Sequence, residues 1–352
     1  MSLFLLTDSP YITRLADREF AAALSSAGHD VEVESCPGAD VAGASAFGHG
    51  LASRWRGARP DLVFAHGWLA GLAAQVATRD LDVPVVQRFG QLARRQDDPK
   101  RSRLEVALAR GASLVLASCT DQAEQLATAG VPRRQVRVLP LGVDTHTFSD
   151  DGPEWRRTGR RRLVAADDLS SPETITTLLA MLAGLPVCEL FVVGAGPAAD
   201  PDQNDVVRIL TAEAKRRGVD DRVHILGHLE DADLAGLLRS ADLMIASAQD
   251  DAGVPVVLRA MSCGVPVVAA DTGAVSDAVA DGVTGLLVPP RSAGRLADAV
   301  RTLLSNGLAR ESYGLAATDR ARARFSWDAL TPAAGRVIDE VTTRHCGRTA
   351  VI

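Results

Sequence analysis

Short apolar runs alternate with amphipathic stretches along the whole chain. In the first half, the apolar runs predict strands at 3–7, 31–34, 61–66, 83–89, 113–118 and 136–140. Between them lie helical patterns such as 13–28, where Leu15, Phe20 and Leu24 share one face and Gly28 is suited to a left-handed stop. Because parallel strands need crossover helices, this alternation predicts parallel sheets.

The same pattern restarts after a polar segment at 149–161, which contains Gly and Pro and has no periodicity, as in a linker. The second half predicts strands at 162–166, 189–194, 223–227, 243–247, 265–270 and 285–289. Three further helices are expected to begin near Ser292, Gly307 and Ser326. The fold class is therefore α/β, with two doubly wound, Rossmann-like domains facing a cleft in which ligands bind at the carboxyl ends of the strands.

The predicted domains are 1–150 and 151–325, and a C-terminal helix within 326–352 is expected to pack back toward the first domain. A chain of 352 residues can bury a separate core in each domain.

Charge and cysteine content narrow the class of protein. The formal net charge of −6 argues against nucleic acid as the main partner. Five cysteines lie far apart with no Cys-x-x-Cys pair, which predicts reduced thiols in a cytoplasmic protein and no structural zinc. No apolar stretch approaches the length of a membrane span. The basic segment 88–103 has two interpretations, a solvated helix face with its loop or a patch for phosphate or a membrane surface.

The stretch 189–200, ELFVVGAGPAAD, contains a G-x-G-x-x-A pattern directly after a strand. Gly194 and Gly196 would allow a dinucleotide pyrophosphate to approach a helix start, which suggests an NAD- or FAD-dependent oxidoreductase. Two features argue against that interpretation. The next residues, DPDQND, do not continue at once into a helix, and the following strand ends at Gly227 without an acid for the ribose.

Several longer segments together resemble family-4 glycosyltransferases of the GT-B fold, over nearly the full chain. In the first half these are LSSAGHDVEV, PDLVFAHGWLAGLAA, VPVVQRF and VRVLPLGVDTHTF. In the second half they are VVGAGP, DRVHILGHL, RSADLMIASA and RAMSCGVPVVAADTGAVSDAVADGVTGLLVPP. The resemblance implies a retaining enzyme that transfers a sugar from a nucleotide diphosphate sugar to a small-molecule or glycan acceptor. It also implies that no metal or other cofactor takes part, since cationic side chains hold the diphosphate. In addition, it implies that the first domain (1–150) lies on the acceptor side and the second (151–325) on the side of the donor nucleotide.

The chain departs from the family's pattern where the donor diphosphate would bind. The resemblance implies an arginine and, five residues later, a lysine; Asp168 and Glu173 stand there instead. Each lost charged contact is worth about 1.5–3 kcal/mol. An ordinary helix opening at Ser171, Pro172 and Glu173 explains this segment without any ligand.

A second departure concerns the sugar and the ribose. The resemblance implies two glutamates eight positions apart, and the chain has Asp251 and Arg259. An arginine can only donate hydrogen bonds, so it cannot accept from both ribose hydroxyls as a carboxylate does. Arg259 is therefore expected either to reach a phosphate or to pair with one of the acids in a charge-inverted donor pocket.

The remaining positions come from the same resemblance. Gly90 stands where a histidine is usual, and Ser9 with Pro10 replaces a glycine-rich loop. His66 fits a family position at a strand end, with a structural hydrogen bond as the alternative to catalysis; Asp251 is the other catalytic candidate. The further donor-binding positions implied are Gly194, Gly196, His228 and Gly253, and possible substitute cations are Arg88, Arg94 and Arg95.

Four functional hypotheses follow. The first is a glycosyltransferase-family protein with impaired or altered catalysis, which accounts for Gly90, Asp168, Glu173 and Arg259 together. The second is an active transferase with a rearranged donor site. The third is a non-catalytic protein partner or regulator of another glycosyltransferase, and the most distant is the oxidoreductase.

Overall fold

The structure, a computed structural model, describes residues 1–8, 11–37, 40–93, 96–165, 172–194, 205–227, 229–247 and 253–349. The chain divides into two compact units. The first comprises Met1–Gly142 together with Trp327–Ile352, and the second comprises Val143–Ser326. Residues 149–161 thus belong to the second unit.

The first unit is built on a six-stranded parallel sheet with strand order β2-β1-β3-β4-β5-β6. Its strands are β1 (Ser2–Thr7), β2 (Asp30–Ser35), β3 (Leu62–His66), β4 (Val85–Arg88), β5 (Leu114–Ala117) and β6 (Val136–Val138). The helices between them are α1 (Tyr11–Ser26), α2 (Val41–Trp55), α3 (Trp68–Thr78), α4 (Pro99–Gly111) and α5 (Thr120–Thr128). The predicted left-handed stop after α1 is present, since Gly28 has a φ of 91°.

The second unit repeats the plan with the order β12-β11-β10-β7-β8-β9. Its strands are β7 (Arg161–Ala165), β8 (Cys188–Val192), β9 (Val223–Ile225), β10 (Leu243–Ala246), β11 (Val267–Ala270) and β12 (Gly285–Val288). The helices are α6 (Pro172–Ala183), α7 (Asp205–Arg217), α8 (Asp231–Arg239), α9 (Val254–Ser262), α10 (Gly273–Ala278), α11 (Ala293–Ser305) and α12 (Gly307–Arg320). A π-helical turn, Ala321–Phe325, precedes the last helix, α13 (Trp327–Thr349).

Both faces of the first sheet are covered. One face packs Leu5 and Phe64 against Phe20 of α1 and against Trp327 and Ile338 of α13. On the other face, strand residues pack against α2 and α3 in a separate core cluster. Strands buried on two faces have continuous apolar sequences, which is why the short apolar runs predicted them.

The core of the second unit lies between its sheet and helices α6, α7 and α11. On the opposite side, helix α9 is buried at every position. The predicted fold class is confirmed by the two parallel, doubly wound sheets with helices between successive strands. In the described ranges, no helix is both long enough and apolar enough to cross a membrane.

Candidate functional site

In each sheet, the strand order reverses next to the strand that begins the winding. The reversal lies between β1 and β3 in the first unit and between β7 and β10 in the second. Successive connections leave opposite faces of the sheet at such a point, so a crevice forms at the carboxyl ends of the two strands. The candidate sites are therefore the ends of β1 and β3 and the ends of β7 and β10.

At the second unit's switch point, Glu173 lies in the first turn of α6 and is exposed. Its Oε2 is 3.1 Å from Nε of Arg291, which follows β12. Arg291 is itself exposed and has a φ of 60°, in the left-handed region that non-glycine residues seldom adopt. A solvent-exposed pair of this kind contributes at most about 1 kcal/mol to stability. The contact nevertheless brings a cation to the opening turn of α6.

Arg291 was not among the residues that the sequence indicated. It stands far along the chain from Glu173, and no spacing rule connects the two positions. A polar residue after a predicted strand was the only available signal, and it is shared by most loops of this fold.

Arg259 lies inside the second unit rather than on its surface. It is 1 % exposed, and its Cζ is 4.8 Å from the centre of the Phe148 ring. A guanidinium on an aromatic face is stabilised by the ring quadrupole, most strongly when water is excluded. Of its expected acidic partners, Glu173 is paired with Arg291, and Asp168 and Asp251 lie outside the described residues.

Two of the glycines implied by the resemblance are described in the second unit. Gly194 follows β8 with a φ of 84°, and Gly253 precedes the first residue of α9. Other site positions lie outside the described residues: Ser9, Pro10, Arg94, Arg95, Asp168, Gly196, His228 and Asp251.

At the first unit's switch point, His66 is the last residue of β3 and is 3 % exposed. Its Nδ1 is hydrogen-bonded to Oδ1 of Asp17, which lies on α1. Thr7, the last residue of β1, donates its hydroxyl to Oδ2 of the same carboxylate at 2.6 Å. Burial opposes the ionisation of Asp17, but the contacts with His66 and Thr7 outweigh it and lower the pKa of that carboxyl. The Asp17 carboxylate is thus hydrogen-bonded to the last residues of both β1 and β3.

Asp17 was also missed, although the sequence contained a signal for it. It is three residues before Phe20 and seven before Leu24, so it lies on the apolar face of α1. An acid on a buried helix face needs a partner, and His66 supplies one.

Arg88, proposed as a substitute cation, ends β4 beside His66 and is buried. One of its terminal nitrogens, Nη2, donates to the carbonyl of Leu139 at 3.0 Å. Burial lowers the pKa of Arg88 to about 10, although Asp17 opposes that change, so the side chain stays charged at neutral pH. Arg88 therefore lies inside the first unit, beside His66.

Gly90 leaves open space at the end of β4. It is exposed, and a Cβ added to it would meet nothing within 4 Å. Its φ does not lie in the left-handed region, so the backbone there does not require glycine.

Asp8 occupies the amino end of α3. Its Oδ2 accepts hydrogen bonds from the backbone N–H groups of Leu69 at 2.6 Å and Ala70 at 3.2 Å. Gly67, with a φ of 100°, allows this approach, because a Cβ there would lie 1.3 Å from Oδ1 of Asp8. Burial raises the pKa of Asp8, although the two backbone donors oppose this. The carboxyl group of Asp8 thus already occupies the amino end of α3, where the helix dipole favours an anion.

All five cysteines are free thiols in the structure, and four of them, Cys36, Cys119, Cys188 and Cys263, are buried. Within the part of the chain that the structure describes, no group of three or more His, Cys, Asp or Glu residues could hold a metal ion.

Two family descriptions match the chain. Residues 15–142 match the glycosyl transferase 4-like domain, and residues 172–306 match glycosyl transferases group 1. A D-inositol 3-phosphate glycosyltransferase from Kribbella flavida is 30 % identical over 293 residues, which cover 76 % of this chain and 68 % of that protein.

Solved structures share the fold at lower sequence identity. The sucrose-phosphate synthase of Thermosynechococcus elongatus superposes with a TM-score of 0.85 at 20 % identity, covering 98 % of this chain and 100 % of that chain. Anabaena HepE in complex with UDP-glucose gives a TM-score of 0.78 at 20 % identity, covering 97 % and 100 %. Together with the two sheets, these similarities confirm the GT-B fold.

Proposed function

The chain belongs to the group 1, family-4-like glycosyltransferases, and from this membership we propose that its second unit receives a nucleotide diphosphate sugar. The presence of UDP-glucose in the structurally similar Anabaena HepE supports a donor of this class. We propose that the sugar is transferred with retention of its anomeric configuration and without a metal or other cofactor. We place the reaction in the cytoplasm, where cysteines without disulfides persist.

Within that framework, we infer that catalysis with the usual donors is impaired or altered. The observation that carries this inference is the burial of Arg259 against Phe148. A group that only donates hydrogen bonds replaces the acid proposed to bind ribose, and its charge is directed into the unit. Glu173 adds a negative charge at the first turn of α6, where a diphosphate would develop charge during transfer.

The second candidate function is an active transferase with a rearranged donor site. The contact between Arg291 and Glu173 favours it, because Arg291 brings a guanidinium to the opening turn of α6. A diphosphate there could displace the Glu173 carboxylate and form charge-assisted hydrogen bonds with Arg291.

Isothermal titration with UDP-, GDP- and ADP-sugars and their nucleoside diphosphates separates the two candidates. We expect no binding below about millimolar concentration, that is, a binding free energy weaker than about −4 kcal/mol. A double variant, Asp168→Arg with Glu173→Lys, is expected to bind a nucleoside diphosphate about a hundredfold more tightly or better.

The opposite result would identify the second candidate. Micromolar binding by the natural chain, with release of the nucleoside diphosphate in the presence of an acceptor, would show an active transferase. That binding should then be lost in Arg291→Gln and retained in Arg295→Gln, a matched substitution of an exposed arginine on α11. D-inositol 3-phosphate is the first acceptor to test, given the name of the Kribbella flavida relative.

A further inference from the structure

Three exposed arginines of the second unit lie at the amino end of its sheet, opposite the carboxyl ends that form the candidate site. Arg160 immediately precedes β7, and Arg161 is the first residue of that strand. Arg157 reaches the same place, because its Nη1 is 3.5 Å from Oδ1 of Asp242, the residue before β10.

The last turn of α7 brings further cations to this end. Helix α7 starts after β8 and is followed by β9, so its last turn lies beside the amino end of β9. Lys215 and Arg216 are exposed in that turn. The guanidinium of Arg160 is 3.2 Å from Asp221, which lies in the short turn between α7 and β9 and so connects the two groups. We call Arg157, Arg160, Arg161, Lys215 and Arg216 together the cationic end.

The carboxylates near the cationic end do not cancel its charge. Asp242 accepts contacts from Arg157 and Arg161, but its side chain is 3 % exposed, whereas each of those arginine side chains is 45 % exposed. Glu213 is largely covered and pairs with Arg216. Solvent therefore meets more cations than acids here, even with Asp220 and Asp221 exposed, in a chain whose net charge is −6.

An apolar loop tip lies next to the arginines. Pro186 and Val187, between α6 and β8, are exposed, and Val187 is 63 % exposed. The carbonyl oxygen of Val187 accepts a hydrogen bond from the backbone N–H of Arg161 at 3.0 Å. Arg301 also adjoins this loop, and its pairing with Asp298 adds no net charge.

This combination fits the surface of a lipid bilayer that contains anionic lipids. Guanidinium groups form charge-assisted hydrogen bonds with lipid phosphates. Each lysine or arginine near such a surface raises the affinity about fivefold. An exposed apolar side chain beside the cations gains further affinity by entering the boundary between headgroups and acyl chains.

We propose that the cationic end, together with Val187, binds the anionic surface of a lipid bilayer. The carboxyl ends of β7 and β10 then face away from the bilayer, because parallel strands place their two ends on opposite sides of the unit. The attachment goes beyond the proposed function and does not depend on it.

Sedimentation of the full chain with sucrose-loaded vesicles tests the proposal. We compare vesicles of phosphatidylcholine alone with vesicles that also contain about 30 % phosphatidylglycerol. We expect at least about tenfold more binding to the anionic vesicles in about 0.05 M salt. This binding should be lost in about 0.5 M salt, because the ions screen the exposed charges.

Two double variants locate the surface. Arg160→Gln with Lys215→Gln leaves both contacts of the buried Asp242 intact and should lower vesicle binding about 25-fold. Lys100→Gln with Arg103→Gln removes the same charges from the exposed side of α4 and should leave binding unchanged.

The apolar tip is tested by Val187→Asp. This change removes the inserted side chain and adds a negative charge, so vesicle binding should fall about tenfold. Val283→Asp is the matched control, since Val283 is 53 % exposed in the turn before β12 and should not affect binding. Thermal unfolding of each variant confirms that it is folded.

Several results would overturn the proposal. They are equal binding to neutral and anionic vesicles, an equal loss in the α4 variant, or no loss in the variants of the cationic end and of Val187. Retention on heparin without any vesicle binding would identify a soluble polyanion as the ligand instead of a bilayer. These measurements contain no nucleotide, so a failure of donor binding in the second unit leaves their result intact.

Discussion

The structure changes the interpretation of Arg259 from a ligand-binding residue to a buried, packed one. Its spacing from Asp251 indicated a ligand-binding helix, and the structure instead surrounds its side chain with protein and places it on the Phe148 ring. The sequence could not reveal this, because every position of α9 is buried and periodicity therefore does not separate an inner face from an outer one.

Arg259→Ala is expected to lower the free energy of unfolding of the second unit by about 2–4 kcal/mol, because it leaves a cavity and removes the contact with Phe148. Thermal and urea unfolding of the full chain measure the change. Arg295→Ala is the control on an exposed position of α11 and should stay within about 0.5 kcal/mol of the natural chain. Equal effects of the two substitutions would mean that Arg259 is not a packed residue.

Other site residues show which part of a site a sequence can predict. The resemblance to the glycosyltransferase family indicated His66 and Gly90, and the structure places them at the ends of β3 and β4, which meet at one edge of the sheet. Pairing was not predictable: Asp17 lies 49 positions from His66, and nothing in the local pattern brings Glu173 to Arg291. Partners of this kind depend on the completed fold.

At the scale of elements, the sequence predicted the strands much more completely than it predicted the side-chain pairs of the site. Every apolar run that predicted a strand corresponds to a strand of the structure. The pattern is clearest in central strands such as β3 and β10, which are buried at every position. The ends differ by a residue or two; the run 83–89, for example, yields the strand Val85–Arg88. Strand ends depend on hydrogen bonds to neighbours and not on hydropathy alone.

The contact between α2 and α3 provides a test of packing at this scale. Gly48 of α2 faces α3 so closely that an added Cβ would lie 2.6 Å from the carbonyl oxygen of Ala73 and 2.9 Å from Cβ of Val76. Gly48→Ala must therefore push the helices apart, and we expect a loss of about 1–3 kcal/mol in the free energy of unfolding.

Gly50, on the same helix, is the matched control because a Cβ there meets nothing within 4 Å. Gly50→Ala should stabilise the protein by about 0.5–1 kcal/mol, since alanine loses less backbone entropy in a helix. Opposite shifts of the thermal midpoint in the two variants are the expected outcome. Stabilisation by both would show that α2 and α3 are not in close contact.

At the scale of the whole molecule, the chain crosses from the first unit to the second after Gly142 and returns at Trp327. Helix α13 therefore completes a core that the first 142 residues begin. Trp327 lies against Phe20, with ring centroids 5.5 Å apart, and its Nε1 donates to Glu19 at 3.0 Å. No periodicity within α13 identifies these partners, because they are more than 300 positions away.

A chain ending at Ser326 is thus expected to lose the first unit and keep the second. The deletion removes Trp327, Leu330, Val337 and Ile338 from the first core, on the order of 10 kcal/mol of apolar burial, which equals the whole stability of an ordinary domain. Hydrogen exchange followed by mass spectrometry should show β1, β3 and β4 exchanging within seconds while β7, β8 and β10 remain protected. A chain ending at His345 keeps every apolar contact named here and should exchange like the full chain. Protection of β1 and β3 in the shorter chain would show that the first unit folds without its last helix.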